Sequence, residues 1–479
     1  MARMTLGLIV GNRDVFPAEL AKSGRAEILG KLKAENVDVV TVTEKDTPDG
    51  VIMTWKDAEA CARVFHDNSD KIDGILVTLP NFGDERAIAD SIKRSGLNVP
   101  VFIHAYADKV GELSIQQRRD SFCGKLSVCN NLKQYGVPYS IGRDHVLSPD
   151  SPRFTEDLRW FVDVCRVVRG MKRARIGSIG ERTTPFKTVR YSEKLLEASG
   201  ISVESKSMVE TVSEIGKLAD DDEKVVAKLK KLEGYLPGTR DVPGRAMKTT
   251  AKLGVVLEKW MAEYHIDSYA IQCWSAMQDA LKIFPCSIMS MMSNDLLPSA
   301  CEVDVMGAVA MYALQLAGGG ASALFDWNNN FGDDPDKLVV FHCSNTATSF
   351  MKTVKTGVNA MALKSNPHDN CFCTLHGSLK KGTVGFARFS TDDEKGRVVG
   401  LIGEGEVTDD TIETFGTTGV VKIPNLPKMM YFLAANGFEH HVALNYSPRT
   451  SVLYEALTKY LGWKIYHHNG EDRSLFENW

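Results

Sequence analysis

The 479-residue sequence has no apolar run approaching the roughly 18 residues that a membrane-spanning helix requires. It also lacks a strong excess of one charge: 57 Lys and Arg against 61 Asp and Glu leave a formal net charge of −4. That balance gives no electrostatic footing for a nucleic acid or an anionic membrane as partner. The densest basic run, Lys228-Leu-Lys-Lys231, reads as the solvated face of a helix. The ten cysteines include no Cys-x-x-Cys pair, which excludes a thiolate zinc site of the usual spacing. They are expected to be reduced thiols of a cytoplasmic protein, used as small core residues. The apolar stretch ending at Val10 runs into Gly11-Asn-Arg-Asp14 without a small-residue cleavage pattern, so it reads as a first strand rather than a secretory signal. No Gly-x-Gly-x-x-Gly follows it, and Gly177-Ser-Ile-Gly180 has the wrong spacing, which argues against a dinucleotide-dependent dehydrogenase.

What is present is the texture of a globular chain long enough for two or three domains. Short β-rich runs at Thr5–Val10, 37–43, Gly74–Leu79 and 99–103 alternate with helix-like spacing at 17–36, 55–68 and Glu85–Ser95. That alternation predicts a doubly wound parallel sheet. A linking helix is expected at 151–170, after which the pattern restarts, with strands at 173–179, 202–207, 268–273 and 321–325. A long charged helical region lies at 220–265. After Asp326 comes a loop, 328–335. Strands then follow without helices between them, at 338–342, 371–376, 382–389, 397–404 and 419–423, the pattern of an antiparallel sheet or barrel. The expected fold class is therefore α/β, with two doubly wound parallel-sheet domains followed by a C-terminal antiparallel β-rich, barrel-like domain. The expected boundaries are 1–164, 165–330 and 331–479.

Four segments carry candidate chemistry. In Ser299-Ala-Cys-Glu-Val-Asp-Val-Met-Gly-Ala308, Glu302 sits where an irregular segment enters an apolar helix, and Asp304 is the better candidate for capping that helix. In Ala323-Leu-Phe-Asp-Trp-Asn-Asn-Asn330, Asp326 follows an apolar strand and is expected to begin a loop at its C-terminal end, where α/β sheets bind ligands. Gly437-Phe-Glu-His-His441 offers tandem histidines that project oppositely if extended. His342, in Phe341-His-Cys-Ser-Asn345, closes another strand. Two carboxylates with imidazole suit a borderline-to-hard divalent ion with open positions for substrate oxygens.

The order Cys-Glu-x-Asp-x-x-Gly-Ala, Leu-Phe-Asp-Trp, His-Cys-Ser-Asn and Gly-x-x-His-His resembles the L-fucose isomerase and L-arabinose isomerase superfamily over the whole chain. The resemblance implies Glu302, Asp326 and His441 as metal ligands. His342 matches a further ligand of the arabinose-isomerase branch, or stands behind the ligands as in the fucose-isomerase branch. It implies a divalent cofactor, Mn²⁺ or else Mg²⁺ or Co²⁺, and a homo-oligomer, a trimer or hexamer. It also implies substrate contacts from Arg13, Gln272, Trp274, Asn328 and His440, where His440 departs from the polar residue of the fucose branch. Gly83-Asp-Glu85 resembles a loop contributed by a neighbouring subunit.

The chemistry so implied is the interconversion of an aldose and its ketose through a cis-enediol(ate), with Glu302 and Asp326 as both ligands and acid/base groups. L-Fucose, D-arabinose or L-arabinose is the favoured kind of monosaccharide. The sulfonated aldohexose sulfoquinovose is the alternative, and Arg13 or Arg182 could supply a guanidinium for it. A non-catalytic sugar-binding protein is the competing class.

Overall fold

The structure, a computed structural model, describes residues 3–359 and 372–468. The chain divides into two compact units. The first comprises the chain up to Arg169 together with Glu455–Gly462, and the second comprises Gly170–Tyr454 with the chain from Trp463 onward. Among the described residues no helix is long and apolar enough to cross a membrane.

In the first unit a five-stranded parallel sheet has the spatial order Asp38–Thr41, Thr5–Val10, Gly74–Leu79, Val101–Ala105 and Ser140–Ile141. Every residue of Gly74–Leu79 and Val101–Ala105 is buried, as helices on both faces require of central parallel strands. The late segment Glu455–Tyr460 belongs to this unit, where Glu455 accepts a 2.6 Å hydrogen bond from Ser140 Oγ.

The second unit holds a four-stranded parallel sheet in the order Ser202–Lys206, Arg175–Ile179, Ser268–Ile271 and Ser299–Cys301. The strand expected at 321–325 is not in it. Its place is taken by Ser299–Cys301, a strand of three residues too short to leave a periodic signal. The helical region expected at 220–265 is broken into Glu223–Tyr235 and Gly244–Tyr264. Pro237 and Gly238, the latter at φ 69°, end the first helix between them.

Ala323–Asn330 belongs instead to an antiparallel barrel. Six strands pair in the order Thr417–Lys422, Lys337–His342, Ala323–Asn330, His441–Asn445, Gly382–Asp392 and Arg397–Val407. Arg397–Val407 then returns to Thr417–Lys422, with Val407 opposite Val421. Lys355–Val358, Phe372–Ser378 and Lys464–His467 extend the sheet outside this closure. The fold class expected from sequence is met: parallel α/β sheets followed by an antiparallel, barrel-like one. Of the strand expected at 371–376, Cys371 lies outside the described residues and the remainder falls within Phe372–Ser378.

Candidate active site

The second unit supplies each group of the site. Glu302 leaves the carboxyl end of the parallel strand Ser299–Cys301, where the backbone turns through two successive non-glycine residues at positive φ, Glu302 at 64° and Val303 at 58°. Such conformations cost of order 1–3 kcal/mol each and persist only where their surroundings impose them. Asp304 follows and caps the helix Val305–Gly318, its Oδ1 accepting from Gly307 N–H at 2.9 Å, as the sequence suggests.

Asp326 does not begin a loop. It lies within the barrel strand Ala323–Asn330, directly opposite His441 on one neighbour and Phe341 on the other. The strand runs on through Asn330, so the expected loop starts later. The short run Ala323-Leu-Phe325 suits a buried parallel strand and a barrel strand equally, and only pairing separates them. His342 closes the strand Lys337–His342 beside it.

His440 and His441 do not point apart. Nε2 of His441 is 3.4 Å and Nε2 of His440 is 3.7 Å from Oδ1 of Asp326, with ring centroids 4.6 Å apart. Strand alternation begins only at His441, the first residue of His441–Asn445, so it does not govern His440.

His441 is 1% exposed, and its two nitrogens meet different partners. Nδ1 lies 2.8 Å from Oδ2 of the fully buried Asp304, which also pairs with Arg388. Nε2 lies 3.0 Å from Oε2 of Glu302. Neither of these last two atoms has an aligned hydrogen-bond partner, although both are buried. Oε1 of Glu302 is occupied separately, accepting from Trp274 Nε1–H at 3.2 Å. Nε2 of His441 thus has one carboxylate oxygen of Glu302 at 3.0 Å and one of Asp326 at 3.4 Å.

The electrostatics reflect that arrangement. Burial alone would raise the Glu302 carboxyl, but adjacent His441 outweighs it and holds it below the ordinary range. Burial likewise opposes charge on His441, yet Asp304 and Glu302 lift it to about 10. Burial is again overcome at His342, which Cys343 and the carboxylates of Asp326 and Glu302 lift to about 9. Burial and the charge of His441 lower His440. The pocket demands positive charge at Nε2 of His441, as a proton or as a metal ion. Ligand atoms of Glu302, His342 and His441, and of Asp326, His440 and His441, lie close enough together to hold such an ion. The donor set is the oxygen-and-imidazole kind that hard-to-borderline divalent cations take.

These groups open into a cavity of about 390 Å³, with Phe186, Trp274, Phe284 and Phe341 as its aromatic walls. Two thiols, Cys273 and Cys343, line it, Cys301 and Cys286 adjoin them behind, and all described cysteines are free. Sequence separation conceals this grouping.

Other candidates fall elsewhere. Gln272 turns its Oε1 to the backbone N–H of Glu181 and lines a second crevice. Asn328 is exposed on the barrel and lines surface grooves. Arg13 belongs to the first unit. There it donates to the Gly83 carbonyl at 2.8 Å, pairs with Glu85 and covers the Phe82 ring, so the two segments singled out there meet each other.

Sequence reasoning missed Phe186, whose ring lies 5.6 Å from His440 and 5.7 Å from His441. It also missed Arg388, 1% exposed, which joins Asp304 to Glu439. A lone arginine inside Val384-Gly-Phe-Ala-Arg-Phe389 was the available signal.

Residues 7–172 match the family model described as fucose/sulfoquinovose isomerase, N-terminal domain, and residues 340–468 match that of L-fucose isomerase, C-terminal domain. A sulfoquinovose isomerase of Priestia aryabhattai is 24% identical over 460 residues, covering 95% of this chain and 97% of the relative. The protein of that name from Priestia megaterium matches to the same extent. That of Alkalicoccus urumqiensis is 24% identical over 391 residues, covering 81% and 85%.

Proposed function

The chain belongs to the L-fucose isomerase-like superfamily and is an aldose–ketose isomerase, and from that premise we propose that it acts on a sulfonated aldohexose of the sulfoquinovose kind. The observation carrying this choice is the match to sulfoquinovose isomerases along almost the entire length of both chains. It favours the sulfonated substrate over the L-fucose, D-arabinose or L-arabinose kind expected from sequence.

Glu302, Asp326 and His441 would hold one divalent cation, with His342 beside them. The unpartnered Glu302 Oε2 and His441 Nε2 fit that role. Mn²⁺ is the first choice, with Mg²⁺ or Co²⁺ as substitutes. When bound, the ion supplies Lewis acidity that spreads the charge developing on the two sugar oxygens. The carboxylates of Glu302 and Asp326 take a proton from C2, return one to C1, and move the hydroxyl proton between O1 and O2 through a cis-enediol. Trp274 holds Oε1 of Glu302 and so orients its other oxygen. His440, lowered in pKa, meets a sugar hydroxyl as a neutral hydrogen-bond partner. The rings of Phe186 and Trp274 cover apolar sugar faces and keep water off the reacting carbons. A cytoplasmic homo-oligomer, trimer or hexamer, is part of the same reading, and light scattering tests its assembly.

The deciding experiment is a ketose assay on chelated protein, with and without added Mn²⁺, Mg²⁺ or Co²⁺. Its panel includes a 6-sulfonated aldohexose, L-fucose, D-arabinose and L-arabinose. Cation-dependent turnover fastest on the sulfonated sugar is expected. Faster turnover of a neutral aldose overturns the substrate choice, and full activity after chelation overturns the cation.

A further inference from the structure

The cavity that holds the reacting groups has no lysine or arginine in its lining among the described residues. An acidic group therefore meets no guanidinium or ammonium there, only imidazoles that already face the carboxylates of Glu302 and Asp326. A second crevice, of about 600 Å³, lies at the carboxyl edge of the four-stranded parallel sheet. Its lining includes Gly180-Glu-Arg182 after the strand Arg175–Ile179, and Gln272 after the strand Ser268–Ile271. Those two strands are the neighbours at which chain order reverses, the position where open α/β sheets form ligand crevices.

Two guanidiniums line the crevice. Arg182 donates only to the carbonyls of Thr183 and Thr184, and Arg190 to that of Lys187. Among the described residues neither makes an ion pair, whereas the third cation of the crevice, Lys206, is neutralised by Glu214 at 3.0 Å. Tyr191 stands beside them as a hydroxyl, held neutral by burial, which raises it to about 12. Two unpaired planar forks and a phenol donor in one concavity are the recognition chemistry of a tetrahedral oxyanion. One short segment serves both spaces: Arg182 lines the crevice, Thr183 Oγ1 donates to the Trp274 carbonyl at 2.9 Å, and Phe186 walls the sugar cavity.

We propose that this crevice binds a tetrahedral oxyanion, sulfonate, sulfate or phosphate, between Arg182 and Arg190. The oxyanion is either the acidic end of the substrate, an assignment that rests on the sulfonated-sugar reading, or a separate small anion. The test titrates inorganic sulfate and methanesulfonate into wild type, R182K, R190Q and the R182Q/R190Q double variant by calorimetry at constant ionic strength. The ratio of kcat/KM for the sulfonated sugar to that for a neutral aldose is measured alongside. Loss of each guanidinium is expected to weaken sulfate binding about tenfold or more. R182K, which keeps the charge and removes the fork, guards against misfolding as the cause.

If the substrate supplies the oxyanion, the kcat/KM ratio falls by a similar factor and sulfate competes with the sulfonated sugar. If a separate anion does, sulfate binding is lost while the ratio stays constant. Should the enzyme turn over only neutral aldoses, the substrate reading fails while sulfate binding still reports on the crevice. Equal sulfate affinity in wild type and double variant, or no binding to either, together with a constant ratio, overturns the proposal.

Discussion

Nδ1 of His441 lies 2.8 Å from Oδ2 of Asp304, a carboxylate wholly removed from solvent and already paired with Arg388. A carboxylate in that place accepts a proton-bearing nitrogen, so Nδ1 carries hydrogen and Nε2 is the nitrogen that would offer a lone pair to a bound cation. Asp304 thus sets the tautomer of a ring that it does not share with substrate.

Replacing Asp304 by Asn removes that bias. Cation affinity is expected to fall about 10- to 100-fold, measured by titrating Mn²⁺ into chelated protein. An affinity equal to wild type in a folded D304N protein would show that the carboxylate only caps its helix.

The E302Q and D326N variants each remove one proton carrier while keeping side-chain shape. Solvent-deuterium incorporation at substrate C2 and ketose formation are both expected to drop by about 10²–10⁴. Exchange that survives in both variants, followed by proton NMR, would remove these residues from the proton path.

Arg388 is 1% exposed and bridges Asp304 and Glu439, the latter also bonded to Ser390 at 2.6 Å. An R388M variant takes the counter-charge from Glu439 and leaves Asp304 with His441 alone. It is expected to lose about 3–5 kcal/mol of unfolding free energy, read from denaturant titration. A loss under about 1 kcal/mol would mean that the acids find other partners.

The histidines make stability depend on pH in a defined direction. His441 is raised to about 10 and His342 to about 9, against about 6.5 for a free imidazole. In cation-free protein their charged forms stabilise the fold fully below about pH 6.5, and this is lost as pH rises through 9 to 10. A divalent ion competes with the same protons, so its binding strengthens over that window. The gap in melting temperature between loaded and chelated protein should therefore widen from pH 6.5 upward. A gap that does not change with pH contradicts the assignment.

The sequence makes some of this legible and hides the rest for identifiable reasons. Alternating strands and helices in the first half announce parallel sheets, because covering both faces of a strand demands a run such as Gly74-Ile-Leu-Val-Thr-Leu79. Glu302, Asp326, His342 and His441 stand out because each sits in an unusual local run, and the structure gathers all four. What local patterning cannot convey is which strand pairs with which. For that reason the sequence alone points Asp326 to a parallel sheet, and Ser299–Cys301 leaves no signal in it. The triad Asp304, Arg388 and Glu439 spans separations of 84 and 51 residues, which no periodicity records. The break at Pro237-Gly238 was in plain view, but the charged helical pattern on either side obscured it.

The barrel's return pairing at Val407 and Val421 has a bearing on how the proposed cation site would behave without its ion. In a ring of six strands none can slip without moving the other five, so Asp326, His342 and His441 are held at a fixed spacing by the hoop itself. A cation proposed to bind there would meet ligands already in place. Dialysed enzyme should regain its activity within the mixing time of fresh cation, with no slow refolding lag.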